Sequence, residues 1–209
     1  MPLFDRLDEA QARCNVLEHP FYQRWSAGEL SRAELAHYAG EYRHAVVALA
    51  EAAEATARAA EPAVRAQIEE HAGEEAEHVE LWDAFAHAVD ADLGHEPSDE
   101  TAKCVAAWTA AGDALEGLVV LYAIESAQPA ISLTKLEGLA EHYGLGEGPA
   151  TEYFAVHGER DHEHAAQSRA LIEERVTAAD EDRLVSVAEA ALRGNWTLLD
   201  GVDARFRRP

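Results

Sequence analysis

The 209-residue sequence is poor in positive charge, in lysine and in cysteine. It has 17 Lys and Arg against 40 Asp and Glu, which gives a formal net charge of −23, and only Lys103 and Lys135 are lysines. Because such a surface repels phosphate backbones, we expect no nucleic-acid partner. The two cysteines, Cys14 and Cys104, form no C-x-x-C arrangement. This excludes a disulfide framework and a zinc knuckle.

The sequence also lacks the patterns of membrane and secreted proteins. No uninterrupted run of about 18 apolar residues occurs, so no membrane span is predicted. The N-terminal stretch "MPLFDRLDEAQAR" is charged from the start and has neither the basic region nor the apolar region of a signal peptide. We therefore expect a cytoplasmic protein with no membrane partner.

Strand-like alternation of apolar and polar residues is scarce, and helical periodicity runs through most of the chain. We predict an all-α fold, a single domain over residues 1–209 built as a bundle of seven to eight helices. "SRAE" at residues 31–34 resembles a capping box that opens a long helix. The predicted helices cover about residues 2–17, 19–25, 31–60, 62–89, 98–111, 114–144, 150–176 and 179–206.

The predicted central helix contains an acid in apolar surroundings. Glu125 lies within "LVVLYAIESAQPA", and a lone carboxylate is costly to bury without a partner. Pro129 follows four residues later, where its ring clashes with the carbonyl of Glu125. We therefore expect a kink at this point and a functional role for Glu125.

The stretch "YFAVHGERDHEHA", residues 153–165, is crowded with titratable groups. At about 100° per residue, His157, Asp161 and His164 share one stripe of a helix, while Glu159 and His162 point elsewhere. Two imidazoles and one carboxylate suit iron or manganese. The alternative interpretation is a solvated acidic face.

A second cluster lies in "EEHAGEEAEHVELW". Glu75 and His78 form Glu-x-x-His, the unit that holds metals in dinuclear carboxylate bundles. Glu74 lies four residues before His78 and is an alternative ligand to Glu75. A wet acidic face is again the other interpretation, although Trp82 and its apolar neighbours indicate that part of the helix is buried.

These clusters and Glu125 together predict a site for two metal ions with open positions for dioxygen. Glu41 is a further candidate, as an extra or mobile ligand, whereas His44 and His71 are interpreted as ordinary helix residues. The predicted metal ligands are Glu75, His78, Glu125, His157, Asp161 and His164.

This order of motifs resembles that of the haem-oxygenase-like dimetal oxidases and oxygenases, which share a fold with the TenA and pyrroloquinoline-quinone synthase proteins. The resemblance is strongest to the branch that contains the chlamydial protein associating with death domains and bacterial relatives that make para-aminobenzoate. The matching segments are "LEHPFYQRWSAGEL", "LWDAF", "HEPSDETAK", "YAIESAQPAISLTKLEGL" and "YFAVHGERDHEHA". The compact spacing in "EEAEH" is instead similar to that of the fatty-acid decarboxylase branch, so Glu74 and Glu75 both stay open.

The resemblance implies two catalytic residues. Tyr22 would be the tyrosine whose ring becomes para-aminobenzoate, and Lys135 would donate the nitrogen. Lys135 lies on the helix of Glu125 and points about 80° away from it, on a flank of the site. The alternatives are a surface lysine and a core tyrosine beside Phe21 and Trp25.

We therefore predict a non-haem oxygenase with an Fe/Fe or Fe/Mn pair, which uses dioxygen and an external reductant to make para-aminobenzoate for folate synthesis. One alternative is a dimetal oxidase or oxygenase that acts on an external fatty acid or amino acid. Another is a metal-binding interaction protein without catalysis. A homodimer is an open alternative to a monomer, because related folds are often dimeric.

Overall fold

The computed structural model describes residues 1–207, which are helical over most of their length. The all-α bundle is confirmed for this part of the chain. A short 3₁₀ helix, Val16–Glu18, lies between the first two α-helices. The α-helices are α1 (Leu3–Arg13), α2 (Pro20–Ser26), α3 (Arg32–Ala59), α4 (Pro62–Ala88), α5 (Asp99–Trp108), α6 (Ala114–Glu125), α7 (Gln128–His142), α8 (Glu152–Glu173) and α9 (Glu181–Arg207).

The helix starts follow the capping chemistry predicted from the sequence. Ser31 Oγ accepts a hydrogen bond from the backbone N–H of Glu34, and the Glu34 carboxylate accepts one from the backbone N–H of Ser31, which completes the capping box of α3. Ser98 caps α5 by accepting from Thr101 N. Pro62 occupies the first turn of α4, where its missing N–H costs no hydrogen bond.

The first helix is shorter than predicted. It ends at Arg13, and the Asn15 side chain then accepts a hydrogen bond from Leu17 N to start the 3₁₀ helix. An Asn side chain competes with helix continuation in this way, which explains why the prediction that the helix reaches Leu17 is wrong.

The apolar helix α6 lies at the centre of the bundle, in contact with α3, α8 and α9. Each residue from Gly117 to Glu125 is buried. By length and composition, the helical stretch Ala114–His142 could cross a membrane, but 72% of its most apolar window is buried inside the protein. Its apolar character is therefore that of a core helix.

The predicted kink is a two-residue interruption of this stretch. Helix α6 ends at Glu125, and α7 begins at Gln128 with Pro129 in its first turn. The proline ring prevents continuation of the hydrogen-bond ladder through Glu125. Glu125 consequently stands at the C-terminal end of a buried helix, where its side chain reaches the neighbouring helices.

Buried tryptophans connect the helices around the site. Trp82 of α4 donates to Ala39 O of α3 at 2.8 Å, and Trp25 of α2 donates to Lys135 O of α7 at 3.3 Å. Gly138 allows this second contact, since a Cβ there would lie 2.5 Å from Trp25 Nε1. Helix α2 can thus pack directly against the part of α7 that carries Lys135.

Candidate metal centre

Seven buried metal-ligating side chains converge between α4, α6 and α8. Helix α4 supplies a histidine, a glutamate and a histidine at intervals of four and three residues, and α8 repeats this spacing with an aspartate at its centre. Such spacing puts all three side chains on one helix face. The seven residues are His71, Glu75, His78, Glu125, His157, Asp161 and His164, each at most 7% exposed.

The seven side chains contain two overlapping groups of potential ligand atoms. Atoms of His71, Glu75 and His164 lie within 4.8 Å of one another, and so do atoms of Glu75, His78 and His157. Glu125 Oε1 lies 2.9 Å from His71 Nε2, which puts a second carboxylate at the first group. Glu75 belongs to both groups, so its carboxylate could serve as a ligand in either one.

Nine nitrogen and oxygen atoms of these side chains are buried without a hydrogen-bond partner in the described structure. The close approaches of His71 Nε2 to Glu125 and of His78 Nδ1 to Glu75 Oε1, at 2.9 and 3.1 Å, lack hydrogen-bond geometry. An unsatisfied buried polar group costs about 1–3 kcal/mol, so nine of them in one place would be a heavy penalty. Imidazole and carboxylate donors that face one another in this way fit iron, manganese or similar divalent ions.

Hydrogen bonds orient two of the imidazoles toward the centre. His157 Nδ1 lies 2.6 Å from Tyr153 O, which leaves Nε2 without a partner. His164 Nε2 lies 3.1 Å from Glu74 Oε2, which leaves Nδ1 without one. A metal-binding histidine ordinarily donates its second ring nitrogen to a carbonyl or carboxylate in this manner.

The electrostatics of the ion-free cluster reflect burial and crowding of like charges. Burial raises the pKa of Asp161 to about 9, and the negative charges of Glu75 and Glu125 add to the effect. Burial also lowers the pKa of His157 to about 4, with a further contribution from His78. Cations in the cluster would counteract the repulsion among its three carboxylates.

The structure brings all six predicted metal ligands together and separates Glu75 from Glu74. Glu75 is 2% exposed and belongs to both ligand groups. Glu74 lies at the rim, where its carboxylate contacts Arg160 Nη1 at 3.0 Å as well as His164. The geometry thus favours Glu75 as the ligand and assigns Glu74 to the support of His164.

His71 is a seventh candidate ligand, which the sequence interpretation left among the ordinary helix residues. The missed signal is its spacing, since His71, Glu75 and His78 repeat the intervals of the histidines and aspartate on α8. His44, by contrast, lies outside the cluster and packs against His95, with ring centroids 5.3 Å apart.

Glu41, the further candidate for an extra or mobile ligand, lies outside the cluster. Its carboxylate accepts hydrogen bonds from Ser98 N at 3.1 Å, Ser98 Oγ at 3.0 Å and the Thr101 hydroxyl, and it lies 3.2 Å from His95 Nε2. Glu41 is therefore a buried acid whose hydrogen bonds anchor the start of α5 to α3. Its partners come from a distant part of the chain, which the sequence pattern of α3 could not reveal.

A chamber of aromatic rings encloses Lys135. The Nζ atom lies 4.9–5.7 Å from the centroids of five rings, has no hydrogen-bond partner in the described structure, and belongs to a side chain that is 0% exposed. Burial lowers the pKa of Lys135 to about 7, so a neutral amine is well populated near neutral pH. The surface-lysine interpretation is excluded. The rings belong to Tyr22, Tyr38, Tyr42, Trp82 and Phe154.

Tyr22 is part of this chamber and of the core. Its ring centroid lies 5.7 Å from Lys135 Nζ and 5.5 Å from that of Phe21 in an edge-to-face contact. The Tyr22 hydroxyl lies 3.4 Å from that of Tyr38, and burial raises the pKa of Tyr22 above its usual range. The phenol is therefore neutral, enclosed and next to a buried amine.

One aromatic wall is shared by the chamber and the metal centre. Tyr153 stacks on His157 with ring centroids 4.0 Å apart and meets Trp82 edge-to-face at 4.9 Å. Trp82 in turn lies 5.4 Å from Lys135 Nζ. On the opposite side, a polar cavity of about 390 Å³ reaches His71 and His164 from the surface through Glu74 and Arg160.

Comparison with known proteins identifies the family. A family model described as an iron-containing redox enzyme matches residues 34–196, a span that includes all seven clustered side chains. The chain belongs to this family. The iron-containing redox enzyme thus carries an imidazole and carboxylate cluster of the composition that iron binds.

Two curated relatives of this redox enzyme are named 4-aminobenzoate synthase. The one from Chlamydia muridarum is 29% identical over 212 residues, which cover 96% of this chain and 89% of the relative. The one from Nitrosomonas europaea is 30% identical over 218 residues, which cover 92% and 87%. The predicted relation to this branch is confirmed.

A solved structure supports the fold. It is a domain of unknown function with a haem-oxygenase-like fold from Shewanella denitrificans. It matches with a TM-score of 0.84 and 20% identity, over 99% of this chain and 94% of that one. The predicted haem-oxygenase-like bundle is therefore confirmed.

Proposed function

We propose that this redox enzyme makes 4-aminobenzoate for folate synthesis from the ring of its own Tyr22, with Lys135 as the amino donor. One observation carries the proposal: a tyrosine ring and an amine without a hydrogen-bond partner share a buried aromatic chamber, 5.7 Å apart, beside the candidate metal centre. Curated relatives named 4-aminobenzoate synthase support the same product.

The conversion requires three changes in Tyr22. The Cα–Cβ bond breaks, Cβ is oxidised to the carboxylate carbon, and an amine replaces the phenol oxygen, which leaves as water. The Cε–Nζ bond of Lys135 breaks in the transfer of its nitrogen. When bound, an Fe/Fe or Fe/Mn pair would supply the oxidising power by reacting with dioxygen, with electrons from an external reductant. Consumption of Tyr22 and Lys135 would limit each chain to a single product molecule.

The chain's own residues would hold the reactants in place. The rings around Lys135 exclude bulk water and keep its amine neutral, the form that can attack carbon. The Tyr38 hydroxyl fixes the orientation of the Tyr22 phenol and can exchange a proton with it. Proximity of the two groups converts the amine transfer into an intramolecular step.

We further propose that all seven clustered side chains are metal ligands. Glu75 would contribute to both ligand groups, and each of the four histidines would bind through its ring nitrogen that lacks a partner. Three carboxylates partly offset the four positive charges of two divalent ions, which suits a buried site. The proposed ligands are His71, Glu75, His78, Glu125, His157, Asp161 and His164.

The test is a reaction of the purified chain with no added substrate. The protein is loaded with Fe(II), alone or with Mn(II), in the absence of air, and dioxygen and a reductant are then added. Mass spectrometry should detect 4-aminobenzoate and loss of the Tyr22 side chain from its peptide. Tyr22→Phe should abolish the product, whereas Tyr122→Phe, at a buried tyrosine that packs on Phe4 instead, should retain it.

Oxidation of the metals with Tyr22 intact would contradict the self-sacrificing reaction. That result would favour the alternative enzyme, which acts on an external fatty acid or amino acid. Absence of tight metal binding would favour an interaction protein. Both cysteines are free in the described structure, which supports the proposed cytoplasmic location because reducing compartments keep thiols unpaired.

A further inference from the structure

A second set of buried polar atoms without hydrogen-bond partners belongs to residues that are not candidate metal ligands. Gln128, Ser132 and Lys135 occupy one face of α7, at intervals of four and three residues, and Asn195 joins them from α9. The atoms without partners in the described structure are Gln128 Oε1, Ser132 Oγ, Lys135 Nζ and Asn195 Oδ1. The four side chains are at most 6% exposed.

Four such atoms in one row need hydrogen-bond partners from a molecule other than the protein. Each unsatisfied polar group costs about 1–3 kcal/mol when buried, and native proteins satisfy nearly all of them. Where protein partners are missing and space exists, ordered water or another small polar molecule makes the hydrogen bonds. The metal ions proposed above lie among other residues and do not account for this row.

Tyr42 makes the row continuous. The neighbouring side chains of Asn195 and Gln128 partly oppose the rise in pKa that burial imposes on its hydroxyl. The ring of the same tyrosine lies 4.9 Å from Lys135 Nζ. Ser132 lies between Gln128 and Lys135 on the shared face of α7.

The outer end of the row lies at a cavity. This cavity, of about 430 Å³, lies between α1, the interruption after α6, and α9. Asn195 and Ile131 form part of its wall, together with half-buried residues of α1 such as Gln11. The polar row therefore leads from a surface cavity to the one amine in the aromatic chamber.

We infer that the row is a conduit that admits water and other small uncharged molecules from this cavity to Lys135 Nζ. Its polar groups are amides and hydroxyls, which hydrogen-bond to neutral molecules but do not offset the desolvation cost of an ion. The aromatic rings enclose the amine on its other sides. Access to Lys135 through the conduit does not depend on whether Tyr22 is the substrate.

Carbamylation by cyanate tests the conduit. Its neutral form, isocyanic acid, is small, and its carbon accepts the lone pair of a neutral amine. The new N–C bond forms as one proton moves from Nζ to the reagent nitrogen, with no change in oxidation state. Lys103, whose side chain is 67% exposed, is an internal standard in the same molecule.

In the folded full-length chain, kept free of air, mass spectrometry should show carbamylation of both lysines. Trinitrobenzenesulfonate, which is bulky and charged, should modify Lys103 alone. Absence of carbamylation at Lys135 would overturn the inference. Equal reaction of Lys135 with the bulky reagent would also overturn it, since general opening of the chamber would then provide the access.

Substitutions in the row should close the conduit. Asn195→Leu and Ser132→Val should each slow carbamylation of Lys135 at least about tenfold, which corresponds to about 1.4 kcal/mol of opening free energy, and leave Lys103 unaffected. Thr134→Val, on the half-buried side of α7, is the matched control and should leave both rates unchanged. Circular dichroism verifies that each variant folds. An unchanged Lys135 rate in a folded Asn195→Leu or Ser132→Val protein would contradict the conduit.

Discussion

Replacement of Lys135 by methionine should change how the free energy of unfolding depends on pH. Burial lowers the pKa of Lys135 to about 7 in the folded protein, whereas an unfolded lysine titrates near about 10.4. Between these values the unfolded chain binds the proton and the folded chain does not. The Lys135 amine therefore destabilises the fold most at low pH. Between the two pKa values, this penalty declines by about 1.4 kcal/mol for each unit by which the pH rises.

Methionine has a similar length and no titrating proton, so Lys135→Met removes this dependence. The stability advantage of Lys135→Met over wild type should shrink by about 2–3 kcal/mol between about pH 7.5 and about pH 9.5. Urea denaturation of both metal-free proteins gives their free energies of unfolding. The difference between these two free energies cancels the contributions of the other titrating groups. Lys103→Met, at an exposed position, should follow the wild type. A constant difference between Lys135→Met and wild type would refute the lowered pKa and with it the neutral amine.

Three substitutions separate metal binding from support. Glu75→Gln should leave fewer than two ions per chain after dialysis, because both ligand groups use Glu75. The control His44→Gln should retain both ions. Atomic emission measures the metal content, and equal contents in the two variants would contradict the role of Glu75 as a shared ligand. Glu74→Gln should keep the stoichiometry and weaken affinity about tenfold, since the carboxylate beside His164 loses its charge. Competition with a chelator measures this, and an unchanged affinity would argue against support by Glu74. Glu41→Gln should cost about 1–3 kcal/mol of stability without changing metal content, because the start of α5 loses its charged anchor. If the Glu41→Gln variant unfolded at the same temperature as the wild type, Glu41 would not be an anchor of α5.

Sequence periodicity was enough to predict the helical bundle and six members of the site, because helix faces follow directly from residue spacing. The stripe of His157, Asp161 and His164 is buried as a unit. The same rule could have identified His71, which lies four residues before Glu75. The Glu-x-x-His unit is only part of the spacing that α4 shares with α8.

Contacts between distant segments could not be predicted. Glu41 has the same buried acidic character as a ligand, but its hydrogen bonds come from Ser98 and Thr101, far along the chain. The flank position predicted for Lys135 assumed one regular helix from Glu125 onward, whereas the interruption after Glu125 breaks that geometry. The five rings of the aromatic chamber come from four helices, so no local pattern reveals it.

The most direct test of the account follows the atoms of the product. The protein is prepared with heavy-nitrogen lysine and ring-labelled tyrosine, in a Lys103→Arg background that leaves Lys135 as the chain's single lysine. After anaerobic loading with Fe(II) and exposure to dioxygen and reductant, the mass of the released 4-aminobenzoate is measured. The released 4-aminobenzoate should carry both labels. A product without the labels, or none despite oxidation of the bound metal, would contradict a reaction in which Tyr22 and Lys135 are consumed.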